Sequence, residues 1–358
     1  MWPDRRLIEL LGVEHPLVLA PMAGFVTAEL AASVCNAGGL GSIGCATMQP
    51  QSAIEAIEKL RSLTSKPFNV NFFCHIPAQA NFRREQAWLD QFADYYRELG
   101  LDLPSPPPRI DLPPFGDAMC AVVERARPDV VSFHFGLPEP SLLARVKAVG
   151  CRVMSSATTV EEALWLEAHG ADVIIAQGNE AGGHRGMFMV SEVASQPGSL
   201  ALIPQVVDAV AVPVIAAGGI ADGRAIAAVF ALGAAGAQIG TAYLLCPEAA
   251  TPPLHRDALR QSHAGATVVT NVFSGRPARA LVNRMTREIG PISAETPEFP
   301  LPMAALVGLR AKAEQQGSTD FTPLWAGQAA PLAREMPGEA VTRALVEGAL
   351  SQFRRLSG

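Results

Sequence analysis

The sequence has few charged residues and no excess of positive charge. Of its 358 residues, 17% are charged and 49% are hydrophobic, and the formal net charge is −6 at pH 7. This composition is typical of a chain with a large buried core, and it argues against disorder. The acidic balance gives no general attraction to nucleic acid or to an anionic membrane, so we expect neither as a partner.

The six cysteines show neither disulfide-like nor metal-binding spacing. No CxxC pair occurs, and no cysteine stands at ligand spacing from a histidine, so we expect no metal site. Scattered thiols in apolar stretches are typical of reduced core residues, which predicts a cytoplasmic location.

Long uninterrupted apolar runs are also missing. The N-terminus has no such run after Arg5 and Arg6, unlike a secretory signal. The most apolar region, 209–245, is broken by a glycine pair, Asp222 and Arg224. This pattern indicates buried strand, helix and strand, and we expect no membrane span.

Eight short apolar runs recur along the chain, with helical segments between them. Each run is nearly continuous, as expected for strands that are buried on both faces. The runs are 16–23, 39–44, 67–73, 129–136, 152–157, 171–178, 212–219 and 234–244. Apolar residues at three- and four-residue spacing predict amphipathic helices in five connecting segments, which are 27–39, 51–63, 140–150, 159–170 and 222–233.

A glycine ends several of these helices just before the next strand. Gly38, Gly150, Gly170 and Gly233 hold this position, and glycine readily adopts the left-handed conformation that closes a helix. The repeat of helix, glycine and strand is typical of βα units. Eight strands with helical returns favour an α/β fold, a closed (β/α)8 TIM-type barrel, over an open doubly wound sheet.

Two regions do not fit the repeat and predict additional structure. We expect residues 1–246 to form the barrel, with an excursion at about 74–128 that joins a helical segment to a proline-rich one. Residues 247–330 follow the last strand and predict a smaller lid. Residues 331–358 end in an amphipathic helix that we expect to pack back on the barrel.

The predicted strand ends are rich in glycine and amide side chains and poor in carboxylates. Functional sites of (β/α)8 barrels lie at these ends. His134, His184 and Glu180 have no convincing third partner for a metal, and Ser155 and Ser156 lack the elbow motif of a serine hydrolase. The strand ends carry PMAG (21–24), Asn71, His134, Gln177 with the loop EAGGHRG (180–186), AAGGIADG (216–223) and QIGTA (238–242).

The glycines at these ends predict a phosphate site. The pairs Gly182-Gly183 and Gly218-Gly219, and Gly240 with Thr241, expose backbone N–H groups after the last three strands. We expect the helix that starts at Asp222 to direct its N-terminus there. Amides such as those of Asn71 and Gln177 suit a flat heterocycle with imide and carbonyl edges, or else form a polar plug. FMN fits both features.

Several segments in this order resemble class I nitronate monooxygenases, formerly called 2-nitropropane dioxygenases. The likeness covers nearly the whole chain and is strongest at 16–44 and 171–244. It is carried by PMAG, LAASVCNAGGLGSIG, NVNFF, AQGNEAGGHRG, VPVIAAGGIADGRAIAAVFALGAAGAQIGTAYL and FTPLWAGQ. The resemblance implies that His184 is catalytic. It implies FMN contacts at Met22, Ala23, Asn71, Gln177, Gly182, Gly183, Gly218, Gly219, Gln238, Gly240 and Thr241.

The resemblance also implies a reaction. A small anionic nitronate is oxidised through FMN and O2 to a carbonyl compound and nitrite, without NAD(P)H. With a pKa near ~6.5, His184 could offset the substrate charge when protonated or deprotonate a nitroalkane when neutral. His134, our second catalytic candidate, either faces the barrel mouth or is a core histidine. Arg276, Arg279, Arg284 and Arg287 either attract the anion or form a solvated, ion-paired face.

Three alternatives stay open at this point. An FMN-dependent enoyl-acyl-carrier-protein reductase carries a similar EAGGH-type loop, and a flavin NADH:quinone reductase uses the same scaffold. A non-catalytic flavin- or phosphate-binding module is the third. The physiological substrate and the oligomeric state are not predicted.

Overall fold

A computed structural model describes residues 1–79, 81–106, 108–263 and 265–357. Ala80, Pro107, Ala264 and Gly358, which belong to the predicted excursion, lid and C-terminal helix, lie outside the described residues. The described residues form eleven strands, which are β1 (Leu17–Leu19), β2 (Gly41–Gly44), β3 (Phe68–Phe73), β4 (Val130–His134), β5 (Arg152–Ala157), β6 (Val173–Gln177), β7 (Gly183–His184), β8 (Val214–Ala217), β9 (Gly236–Ile239), β10 (Thr267–Thr270) and β11 (Ala278–Leu281).

Eight of these strands form one parallel sheet that closes into a barrel. The strand order is β1-β9-β8-β6-β5-β4-β3-β2. The ends of this order meet, because Leu19 N donates to Leu40 O (2.9 Å) and Leu40 N donates to Leu17 O (2.8 Å). All eight predicted strands are present, and the predicted (β/α)8 barrel is confirmed.

Helices connect the barrel strands as the periodicity predicted. The described helices are α1 (Arg6–Leu11), α2 (Ala28–Asn36), α3 (Pro50–Leu63), α4 (Phe82–Asp90), α5 (Ala93–Glu98), α6 (Asp117–Ala126), α7 (Pro140–Ala148), α8 (Val160–Ala168), α9 (Ser199–Ala209), α10 (Gly223–Ala231), α11 (Pro253–Arg260), α12 (Arg284–Glu288), α13 (Pro302–Gln315) and α14 (Gly338–Leu356). The five predicted helices correspond to α2, α3, α7, α8 and α10. Among the residues that the structure describes, no helix is both long and apolar enough to cross a membrane.

The amino-terminal end of the barrel is closed by α1. Leu7 and Leu11 from this helix belong to one buried cluster with Val18, Val130 and Val173 from three strands. The large cluster between the strands and the outer helices is equally apolar. Both faces of the sheet are therefore buried, which leaves the carboxyl ends of the strands as the open end of the barrel.

The excursion and the lid share a second core above the barrel. Trp88, Phe92 and Tyr96, from the excursion, are buried together with Phe273 and Phe321, from the lid. The lid also holds a three-stranded sheet in the order β10-β11-β7. Its edge strand β7 belongs to the loop after β6, so the lid sheet is joined to the barrel mouth.

Helix α14 packs against α10 and α2 on the outside of the barrel. Gly223 at the start of α10 fits this seam, because a Cβ atom there would lie 2.2 Å from the backbone carbonyl carbon of Gly348. The proposed division into 1–246, 247–330 and 331–358 remains a prediction.

Candidate active site

The carboxyl ends of the barrel strands surround one cavity of about 310 Å³. The cavity is lined by all thirteen residues that the sequence singled out. They are Met22, Ala23, Asn71, His134, Gln177, Gly182, Gly183, His184, Gly218, Gly219, Gln238, Gly240 and Thr241. The barrel thus brings together side chains that are more than 200 positions apart in the sequence.

Part of the cavity wall is bare backbone, which we call the glycine rim: Gly182, Gly183, Gly218, Gly219 and Gly240. Gly183 and Gly218 have φ angles of +71° and +106°, in the region that side chains rarely adopt. A Cβ on Gly182 would lie 2.5 Å from Gly327 N and 2.6 Å from the carbonyl carbon of Ala326. The lid segment therefore rests directly on the rim, and glycine is required for this contact.

The expectation that helix α10 directs its N-terminus at a phosphate stays a prediction, because part of this N-terminus is capped within the chain. Its N-terminal donors are already bound, because the Asp222 carboxylate accepts hydrogen bonds from Arg224 N (2.9 Å) and Ala225 N (3.2 Å). A carboxylate at this cap satisfies two of the free N–H groups and offsets part of the positive helix end. Instead, the short 3-10 helix Thr241–Tyr243 follows the last barrel strand, and its first residue lines the cavity.

The loop after β6 is fixed by Gln177 and Arg185. The Gln177 amide donates to His184 O (2.9 Å) and accepts from Gly186 N (2.7 Å), so most of its hydrogen bonds are made within the loop. The fully buried Arg185 guanidinium donates to Gly178 O (2.6 Å) and Gln177 O (2.7 Å). These bonds hold the loop backbone in place behind the glycine rim.

Two other amides have free hydrogen-bonding capacity. Asn71 donates through Nδ2 to Ser132 O (3.1 Å) and Ser132 Oγ (2.9 Å). The side-chain oxygen of Gln238, Oε1, is buried and has no hydrogen-bond partner among the described residues, although Gln238 lines the cavity. An unpaired buried acceptor is costly, so this atom indicates a ligand that donates a hydrogen bond.

His184 is held by the lid and is neutral. Residue 184 pairs with Ala278 in the lid sheet, and its Nε2 atom lies 2.8 Å from Ser274 Oγ. Burial, reinforced by His134 and Arg276, lowers the pKa of His184 to about 3. The expected pKa of about 6.5 does not hold for the ligand-free protein, in which the ring is neutral. The role of His184 toward a bound substrate stays a prediction.

His134 also lines the cavity, but both of its ring nitrogens bond to the protein. Nε2 lies 3.2 Å from His184 O, and Nδ1 lies 3.0 Å from Ser156 Oγ. Because a carbonyl oxygen only accepts, Nε2 carries the proton and Nδ1 accepts from the serine. Burial lowers the pKa of His134 to about 4. This arrangement supports the backbone of His184 and leaves neither nitrogen for proton transfer.

The four arginines of the lid have different surroundings, and none of them lines the cavity. Arg276 lies 4.2 Å from the ring centre of Phe135 and donates to Met187 O (2.9 Å). Arg279 is buried and donates to Asn179 O (2.9 Å). Arg284 pairs with Glu98 (2.7 Å) and Glu288, and Arg287 is exposed. Of these four, only Arg276 is close enough to lower the pKa values of His134 and His184.

Aromatic side chains that the sequence did not single out surround His184. The ring centres of Trp325, Phe299 and Phe73 lie 5.2, 5.5 and 6.4 Å from the His184 ring. All three line the cavity. Two of them come from the lid, and so does Ser274. The segment FTPLWAGQ, which contains Trp325, was the one sequence signal for these aromatic residues, but its spacing gave no reason to place it beside His184.

Charged groups are scarce at the cavity. The described lining residues include no Asp, Glu, Lys or Arg. In the described part of the chain, no group of three His, Cys, Asp or Glu side chains could hold a metal ion. The arrangement offers backbone N–H groups, amides and the neutral imidazole of His184, while the neutral imidazole of His134 is bonded to the protein.

A (β/α)8 barrel with one glycine-rimmed cavity at the carboxyl ends of its strands is typical of enzymes that bind a ligand at this end of the barrel. A model of the nitronate monooxygenase family matches residues 4–348. The nitronate monooxygenase of Pseudomonas aeruginosa is 44% identical over 96% of this chain and 98% of its own.

Two solved structures superpose on nearly the whole chain. Nitroalkane oxidase from Streptomyces ansochromogenes superposes with a TM-score of 0.89 at 38% identity, over 98% of this chain and 99% of the other. FabK from Thermotoga maritima superposes with a TM-score of 0.75 at 31% identity, over 99% and 98% of the two chains. The chain belongs to the nitronate monooxygenase family, and it is an oxidoreductase.

Proposed function

We propose that this protein binds FMN in the cavity and oxidises alkyl nitronates with O2 to carbonyl compounds and nitrite. The observation that supports this best is the neutral His184 at the wall of an uncharged, glycine-rimmed cavity in a member of this family. The relatives named nitronate monooxygenase and nitroalkane oxidase support the same reaction type. The net reaction balances when two nitronates react with one O2, because each nitronate gains one oxygen atom and yields one carbonyl compound and one nitrite, and the charge is unchanged.

The residues at the cavity fit FMN. The glycine rim and Thr241 would hold the phosphate through backbone N–H groups, as loops after the last barrel strands do in this fold. The unpaired Gln238 oxygen would accept a hydrogen bond from a ring N–H or a ribityl hydroxyl. Met22, Ala23 and Asn71 would lie along the ring system. Bound FMN supplies the capacity to accept electrons from the substrate and to pass them to O2.

His184 would act on the substrate through a defined ring nitrogen. Ser274 Oγ lies 2.8 Å from Nε2 and 3.3 Å from Arg276 O. A serine hydroxyl that donates to this carbonyl must accept from Nε2–H, which leaves Nδ1 as the basic nitrogen. A nitronate that binds nearby would raise the pKa of His184, so that the ring could take up a proton as the anion enters.

The low basicity of His184 favours nitronates over neutral nitroalkanes. A nitronate has already lost its α-proton, so it needs no general base. A nitroalkane must give this proton to the imidazole, and a ring with a pKa of about 3 is a weak acceptor. We therefore propose the nitronate as the main substrate and the nitroalkane as a slower one.

The test is spectroscopic. We expect the purified protein to be yellow or to become yellow with added FMN, and the cofactor that is released by denaturation to be FMN. Under anaerobic conditions, propionate 3-nitronate or ethylnitronate should bleach the flavin band, and air should restore it. Bleaching by NADPH with no response to either nitronate would instead support an enoyl-acyl-carrier-protein or quinone reductase. A flavin that no donor reduces would support a binding module.

A further inference from the structure

The wall of the cavity around His184 is apolar, because the rings of Phe73, Phe299 and Trp325 surround the imidazole. Met303, from the lid, and Leu112, from the excursion, line the same cavity. Phe299 is 5% exposed, and its ring centre lies 5.5 Å from that of His184. A substrate group that extends from His184 toward the lid would therefore meet hydrocarbon.

No fixed positive charge reaches this region in the described residues. The guanidinium of Arg276, whose charge lowers the pKa of His184, lies over the ring of Phe135 and donates to Met187 O, and Arg276 does not line the cavity. It can attract a negative charge at long range, but because it is held by Phe135 and Met187 O, we expect it to form no ion pair with a second anionic group. The two histidines at the cavity are neutral at pH 7.

We propose that Phe299, Met303 and Leu112 form a binding site for the hydrocarbon chain of the substrate, and that the enzyme selects alkyl nitronates without a second charge. This inference rests on the proposed nitronate oxidation. A carboxylate on the far end of the substrate would have to be buried there without a cation, which is costly. Each methylene group that enters this site gains free energy from burial.

The first experiment compares substrates with the FMN-loaded wild-type protein. We expect kcat/KM to rise about threefold to fourfold for each methylene group that becomes buried, from ethylnitronate to butylnitronate. We expect propionate 3-nitronate to have a kcat/KM at least about 100-fold below that of butylnitronate. Equal or better turnover of propionate 3-nitronate would overturn the inference and leave nitronate oxidation intact. If no nitronate is oxidised, both proposals fail.

The second experiment reverses the preference. Met303→Lys places a cation at the hydrocarbon site, and we expect it to raise the ratio of kcat/KM for propionate 3-nitronate to that for butylnitronate about tenfold or more. Val307→Lys is the matched control, because it adds the same charge one turn further along α13 at a side chain that is 57% exposed. An equal change in both variants, measured at equal FMN content, would contradict a role for this site.

Discussion

His184 Nε2 and Ser274 Oγ lie 2.8 Å apart and join the barrel loop to the lid across 90 positions of sequence. The adjoining strands reinforce this contact, because residue 184 pairs with Ala278 in the lid sheet. The orientation of the imidazole is therefore set by the lid. The barrel strand before it positions only the loop backbone, through Gln177.

Ser274→Ala should impair proton abstraction more than cofactor binding. Without the hydroxyl, Nε2 of His184 loses its partner, and the ring can rotate or change tautomer. We expect kcat/KM for neutral nitroethane to fall about tenfold and that for ethylnitronate to fall less than threefold. FMN affinity, measured by fluorescence quenching, should not change. An equal loss with both substrates would indicate a general packing defect.

His184→Asn tests the base directly. The asparagine keeps a polar group of similar size but cannot take a proton. We expect kcat/KM for a neutral nitroalkane to fall about 100-fold or more, the usual scale for loss of a general base, with a smaller loss for the nitronate. The FMN absorbance spectrum should remain. Unchanged turnover of the nitroalkane would remove the catalytic role of His184.

Gly182→Ala should weaken FMN binding by displacing the lid segment from the glycine rim. The added methyl group would lie 2.5 Å from Gly327 N, and this backbone has to move. We expect the Kd for FMN to rise about tenfold, since a shift of the rim disturbs several N–H donors at once.

Gly308→Ala is the control for this glycine substitution. Gly308 lies inside α13, and the nearest atoms to a Cβ there belong to the Tyr96 side chain, at ordinary distances of 3.5 Å and more. Alanine should stabilise the helix by about 0.5–1 kcal/mol and leave the Kd for FMN unchanged. Similar effects of both substitutions on the Kd would exclude a specific role for the rim.

Much of the barrel could be predicted because its signals are local. Gly38, Gly150, Gly170 and Gly233 all have positive φ angles, as their positions at helix ends indicated. Helix α9 was not predicted, since Pro204 in its interior weakens the helical pattern. The segment 6–11 gave no periodic signal long enough to indicate α1.

The site could be predicted only where it follows barrel strands. The cavity residues of the barrel stand at strand ends, so the repeat located them. Ser274, Phe299 and Trp325 come from the lid, which has no repeat, and only tertiary contacts bring them to His184. The low pKa of His184 likewise depends on burial and on Arg276, neither of which the sequence shows.

The buried histidines predict that stability falls in mild acid. Burial lowers the pKa of His255, which is 2% exposed and lies outside the cavity lining, to about 4. Its pKa in the unfolded chain is about 6.5. Between these values only the unfolded state binds the proton, so the free energy of unfolding should decrease as the pH falls through this window. His75, His134 and His184 act in the same direction.

His255→Asn removes one of the groups that bind a proton on unfolding, so it should reduce the pH dependence of the free energy of unfolding. Each such histidine contributes a slope of about 1.4 kcal/mol per pH unit within the window. Urea unfolding of the wild type and the variant between pH 5 and pH 6.5 measures the difference, because the carboxylates have mostly ionised there. Above pH 7, the free energy of unfolding should have the same slope against pH in both proteins, since His255 of the wild type is then unprotonated in the folded and in the unfolded state. If the free energies of unfolding of the wild type and the variant change in parallel between pH 5 and pH 6.5, His255 is solvated in the folded protein and titrates normally.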